Sequence, residues 1–131
     1  MNAFIIELEN KPGGVATVAE AIAAKGINIT TVAGLAHGTS GSLALATNDE
    51  AGTRSALRAA GLVWRELELI PIALEDKPGS LAAATRRLAN AGVNIELAIP
   101  VAVGEKPILA VAVDKPDLAR TTIAEEVAAG S

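Results

Sequence analysis

The chain has no cysteine and no tyrosine, and one each of phenylalanine, tryptophan, methionine and histidine. Without cysteine there are no disulfides, no thiolate nucleophiles and no Cys-ligated metals. Aromatics make up 2% of the residues and apolar residues 50%, so the core must be built from Ala, Val, Leu and Ile. A net charge of −4 works against nucleic acid, whose phosphates require a positive surface. The shortage of aromatics also removes the stacking platforms of single-strand binders. No apolar run approaches the roughly 20 residues of a membrane helix, because charges, Gly and Pro interrupt every stretch. The opening MNAFIIELEN carries no basic leader and no small-residue cleavage site. The reading is therefore no secretory signal, no membrane and a cytoplasmic location.

What is present is a repeat. ENKPGG at Glu9 to Gly14 returns as EDKPGS at Glu75 to Ser80, and the offset of 66 positions holds along the chain without a gap. Ile6, Leu8, Ala23, Gly26, Asn28, Ile29, Ala44, Ala46 and Arg54 meet Ile72, Leu74, Ala89, Gly92, Asn94, Ile95, Ala110, Ala112 and Arg120. A match of this length without insertions reads as a duplicated unit.

Within the unit, Phe4, Ile6 and Leu8 alternate as in a short strand, and the Pro-Gly loop stops it. Val15, Val18, Ala19 and Ile22 then recur at helical spacing, as do Leu81, Ala84, Thr85 and Leu88. Gly26 and Gly92 suit the left-handed position after a helix. Val93, Ile95, Leu97, Ile99 and Val101 form the second strand of copy two, and turns follow at Gly38 to Gly41 and Gly104 to Pro107. Leu43 with Leu45, and Leu109, Val111 and Val113, mark the third strand. Asn48 or Asp49, and Asp114 with Pro116 just inside, look like starts of a second helix. LVWRELEL closes copy one as a fourth strand.

The predicted fold class is α+β: two ferredoxin-like βαββαβ units in tandem, each an antiparallel sheet with helices on one face. The units are residues 1–69 and 70–131. The second is truncated to βαββα, because Ala128 to Ser131 align with Leu62 to Arg65, where the last strand should begin. The edge left bare calls for cover by a neighbouring element or chain. Ala44, Ala46, Ala98, Ala102, Ala110 and Ala112 alternate with larger residues and are assigned to the sheet face away from the helices. Trp64 is assigned there too, since Leu67 and Leu69 have the opposite parity. So apolar a face predicts burial against another sheet, within the chain or across a dimer.

The Pro-Gly loops carry the chemistry. First-turn N–H groups of a helix have no intrahelical partner and sit at the positive end of its dipole. A carboxylate placed there gains hydrogen bonds without a cationic side chain. Gly13-Gly14 and Gly79-Ser80 allow close approach to that backbone. Asn28 and Asn94 open the second strand, at what is expected to be the same edge of the sheet, and each offers an acceptor and two donors. A loop for a carboxylate and an amide to orient the rest describe an amino-acid site. The same residues also serve as plain turn chemistry, and the sequence leaves both uses open.

The combination E-x-K-P-G, amphipathic helix, G-[IV]-N-I resembles the ACT domain, a small regulatory amino-acid-binding module, here as two tandem copies covering essentially the whole chain. The resemblance implies a βαββαβ fold, side-by-side or back-to-back pairing of domains, and small ligands held at domain interfaces. Carried over by position, the ligand-binding residues are Asn10, Lys11, Pro12, Gly13 and Gly14, and Asp76, Lys77, Pro78, Gly79 and Ser80, with Asn28 and Asn94 beside them. With no catalytic domain attached, the chain is similar to the free-standing tandem type, which implies a homodimer that acts on a separate regulated enzyme.

Other residues point to no chemistry. His37 is a lone turn histidine, with Val103 at its counterpart. Glu7, Glu9, Glu66 and Glu68 read as solvent-side strand positions, and Glu125 and Glu126 as surface charges. Arg54 and Arg120 read as helix arginines covering apolar surface. No base stands beside a Ser or Thr in any recognisable constellation, so no catalytic residue, metal or cofactor is assigned. Two functions remain: a sensor of a small amino-acid-like ligand, and a structural oligomerisation module with empty loops.

Overall fold

A computed structural model describes residues 1–103 and 106–130, with side chains given for all of these except 103, 106, 107 and 125–130. The turn read around Gly104 and the charges read at Glu125 and Glu126 lie outside the described residues. The chain divides into two compact units, Met1–Leu67 and Glu68–Ser131.

The first unit runs β1 (Asn2–Glu9), α1 (Gly14–Ala23), β2 (Ile29–His37), β3 (Ser40–Thr47), α2 (Glu50–Ala59) and β4 (Trp64–Glu68). The second runs β5 (Ile70–Ile72), α3 (Ser80–Asn90), β6 (Ile95–Val103), β7 (Lys106–Val113) and α4 (Pro116–Gly130). This is the α+β, ferredoxin-like arrangement. The first sheet has strand order β2-β3-β1-β4, and the second β5-β7-β6, with no fourth strand among the described residues. β1 and β2 both pair antiparallel with β3, and β5 and β6 both pair antiparallel with β7.

Local chemistry sets the element ends. The Asp49 carboxylate accepts from the Gly52 N–H at 2.9 Å, and Glu50 and Arg58 lie in the first and last turns of α2, each at the end its charge favours. Gly26 and Gly92 take positive φ just past α1 and α3, where the Ile27 and Val93 amides reach back to Ile22 and Leu88. In the first unit Phe4, Ile6, Leu43 and Leu45 from the strands meet Val18, Ile22 and Leu57 from the helices. In the second, Ile70, Ile72, Val111 and Val113 meet Ala84, Leu88 and Ala119. Phe4 is the largest of the wholly buried side chains among the described residues.

Two details of facing differ from the alternation read in the sequence. β6 carries an irregularity between Ile95 and Leu97, and β2 a matching one between Ile29 and Thr31. An inserted residue switches every later side chain to the other face. Ala98 therefore lies opposite Val111, on the helix side, and Ile99 opposite Ala110. Ala98 and Ala102 are exposed, whereas Ile99, Val101, Ala44, Ala46, Ala110 and Ala112 are buried. Trp64 is the second correction. Together with Leu62 it packs against the first core, and the Arg58 guanidinium stands 6.0 Å from its ring. In β4 the even positions face the helices, so Leu67 does not.

Arg54 is an ion-pair clamp as well as a covering side chain. Its Nε donates to Glu66 Oε1 and Oε2 at 3.0 and 2.8 Å, and its Nη2 to Oε1 at 2.7 Å. Asn2 adds a 3.2 Å donation from Nδ2 to the same carboxylate and a 2.8 Å main-chain donation to Glu50. The Arg54 hydrogen bonds hold the Glu66 carboxyl below its ordinary value of 4.5.

Two outcomes follow for stability. Leu45→Ala, at a wholly buried site, should cost about 2–5 kcal/mol in urea denaturation, against less than about 0.5 kcal/mol for Val32→Ala at an exposed one. A lowered carboxyl pKa gives stability that is present above 4.5 and lost as pH falls through the folded value. Glu66→Gln should therefore flatten the fall of Tm on acidification below about pH 4.5, measured against wild type.

Candidate functional site

Each unit has a sharp turn between its first strand and first helix. The Lys11 N–H donates to Glu9 O at 2.9 Å and Gly14 N–H to Lys11 O at 3.4 Å; Lys77 to Glu75 and Ser80 to Lys77 repeat both bonds at the same distances. Gly13 and Gly79 then take φ +91 and +92, a left-handed conformation that other residues adopt at a cost. Neither would meet an atom within 4 Å if a Cβ were added, so the surrounding space is open. Thr17 and Ala83 supply the first helical amides, bonded to Gly13 O and Gly79 O at 2.9 Å. Among the described residues no side chain caps either helix, which leaves the earlier first-turn amides without a side-chain acceptor.

Beside each turn lies a cleft. The first, about 300 Å³, is lined by Leu8, Glu9, Asn10, Lys11, Gly14 and Val15 from the turn and by Gly34 to Ala36 and Gly41 to Leu43 from the β2–β3 hairpin. The second, about 490 Å³, is lined by Leu74, Glu75, Asp76, Lys77, Ser80 and Leu81 together with Pro100, Ile108 and Leu109. Every residue given for the second cleft has its repeat counterpart in the first, which is lined by Leu35, Ala36 and Gly41 in addition. Val15 and Leu81 are more than half exposed there, at 55% and 54%.

Charges at the turns are local pairs. Lys11 lies 3.0 Å from Glu9, and Lys77 lies 2.8 Å from Glu75. The Lys77 hydrogen bond lowers the Glu75 pKa and, reciprocally, the Glu75 hydrogen bond raises that of Lys77. All four side chains are well exposed, so water screens these pairs. Asn10 is used by the fold: its Nδ2 donates to Gly38 O at 2.9 Å and its N–H to Thr39 O at 3.0 Å, tying the turn to the hairpin. Asp76, its counterpart, makes no hydrogen bond among the described residues.

Of the residues singled out in the sequence, the structure brings the turn residues Asn10 to Gly14 together in one place and Asp76 to Ser80 in another. It separates Asn28 and Asn94 from them. Because β1 and β2 run in the same direction beside β3, the turn after β1 sits at the end of β2, and Asn28 at its start. Eight strand steps, about 26 Å, lie between. Asn28 and Asn48 exchange two hydrogen bonds at the far end, Asn28 N–H to Asn48 Oδ1 and Asn48 N–H to Asn28 O, both 3.1 Å. Asn94 and Asp114 do the same at 2.8 and 3.1 Å. The hairpin residues Gly34, Gly41 and Ser42, which line the first cleft, carry no signal in the sequence beyond the turn glycines. Ser80 Oγ is a further surprise: the oxygen is fully buried and has no hydrogen-bond partner among the described residues. No group of three or more His, Asp or Glu residues suited to a metal occurs among the described residues.

Placing alanine at Gly13 or Gly79 tests the turn without a clash. Each variant should lose about 1–2 kcal/mol in urea denaturation from left-handed strain alone, with the circular dichroism spectrum unchanged.

No protein-family model matches the sequence, and no curated protein matches it. Solved structures do match the fold. A protein from Bacteroides thetaiotaomicron is similar over 95% of this chain and 87% of its own, with a TM-score of 0.82 at 23% identity. The regulatory subunit of aspartate kinase from Thermus thermophilus, in its ligand-free form, is similar over 94% of this chain and 88% of its own, with a TM-score of 0.64 at 22% identity. The corresponding subunit from Thermus flavus gives 0.64 at 19% identity, over 95% and 91%. At these identities the likeness concerns the backbone: this chain has the ACT-type, ferredoxin-like fold of those regulatory subunits.

Proposed function

We propose that the chain is a non-enzymatic regulatory protein, two ACT-like domains in tandem, that binds a small amino acid and passes that state to a partner. One observation carries the reading. The turn after the first strand opens onto a cleft in both units, and the same repeat positions line it each time. A turn kept only for chain reversal would not require a hollow beside it. Uncapped helix amides offer a carboxylate hydrogen-bond donors, and apolar walls from Leu8, Val15 and Leu43, or from Leu74, Leu81 and Leu109, suit the rest of a small molecule. The shared fold of aspartate kinase regulatory subunits favours regulation over catalysis by analogy of fold. The ligand residues of this proposal are Asn10 to Gly14 and Asp76 to Ser80. Asn28 and Asn94 lie too far along the strands to serve the cleft of their own unit.

The second reading is an assembly module that works as a homodimer. It is favoured by edge strand β2, where Leu35 is 80% exposed and Val32 53%. Such a strand offers both backbone groups and apolar side chains to another chain.

Thermal shift against the twenty amino acids separates the two. A ligand at 100 times its dissociation constant should add about 2.7 kcal/mol to the native state. Stabilisation by at least one amino acid is the expected result; none at millimolar concentration leaves the assembly reading in place, checked by sedimentation of wild type against Leu35→Lys.

A further inference from the structure

Building on the amino-acid reading above, we infer that the two clefts are unequal: the second is the selective one, and it takes an α-amino acid with an uncharged, apolar side chain. Three differences between matched positions support this.

Ser80 stands where the first unit has Gly14. Its hydroxyl oxygen is buried without a partner among the described residues, at the first position of α3, a helix of 11 residues, and Ser80 lines the second cleft. A buried hydroxyl left unbonded is unfavourable and uncommon in native proteins. Rotation of the Ser80 side chain towards the cleft would let a ligand carboxylate accept from that hydroxyl and from the uncapped amides together. The first cleft has no such group, since Gly14 has no side chain.

Asp76 stands where the first unit has Asn10. Asn10 spends its amide on Gly38 O, and its turn otherwise holds one carboxylate and one ammonium, Glu9 and Lys11, paired with each other. The second turn has the same pair in Glu75 and Lys77 and one carboxylate more. That surplus negative charge, close to a positive helix terminus, matches an ammonium and a carboxylate carried on one carbon.

Pro100 and Ile108 stand where the first cleft has Gly34 and Ser42. With Leu74, Leu81 and Leu109 they make an apolar wall, and outside the turn no charged residue lines the second cleft among its described residues. A charged side chain buried there would lack a partner. The larger volume, about 490 against about 300 Å³, leaves space for a branched side chain.

Isothermal titration of the full chain with leucine, and with aspartate and lysine as charged comparators, tests this. Leucine should bind first at one site per chain, and aspartate and lysine at least about ten-fold more weakly. Ser80→Ala and Asp76→Asn should each weaken leucine by about ten-fold or more, the loss of one charge-assisted contact, with circular dichroism confirming the fold. Leucine binding that neither variant alters, or tighter binding of a charged amino acid, overturns the inference and leaves the amino-acid reading standing. Absence of binding by any amino acid overturns both.

Discussion

In each unit a central strand is shared by two neighbours that both run against it, β3 between β1 and β2, and β7 between β5 and β6. Everything functional depends on that pairing. It makes the outer two strands parallel to each other, so the turn leaving the first meets the hairpin leaving the second. A helix must carry the chain back along the sheet before the second strand begins, which buries Val18 and Ile22, or Ala84 and Leu88, over the strands. The hollow lies between turn and hairpin, beside a helix N-terminus that no side chain caps among the described residues.

A core with almost no aromatics makes the turn's position depend on close packing of small aliphatic side chains. Such side chains fill space in thin layers, and helices can sit near the sheet. Phe4 is the exception, wholly buried, with the Arg54 guanidinium 6.0 Å from its ring. Arg54 then reaches Glu66 with both Nε and Nη2, so one side chain joins α2, β1 and β4. In the second unit Arg120 pairs with Asp117, a different partner for the same repeat position. Duplication preserved the arginine while the surroundings diverged, as they did around the two clefts.

The division between structural and chemical use of the turns runs through single positions. Asn10 and Asp76 differ by one atom type and one charge, yet the first is consumed by a hydrogen bond to Gly38 and the second is left available. Gly14 and Ser80 differ by a hydroxymethyl group that adds a buried donor. The two units thus share a backbone and differ in the side chains at matched positions of the turn.

The fold was largely written in the sequence, because an ungapped repeat supplies two independent readings of every element. Strand and helix periods, the Asp49 cap and the glycines after α1 and α3 act within a few residues, so local chemistry alone decides them. The turns at Asn10 to Gly14 and Asp76 to Ser80 were legible for the same reason. What only the tertiary structure decided depends on which strands lie side by side. The direction of β2 relative to β1 carries Asn28 to the far end of the sheet, and one extra residue in β6 near Leu97 turns Ala98 and Ala102 towards the helices. Neither leaves a trace in composition or spacing, since both arise from hydrogen bonds between segments distant along the chain.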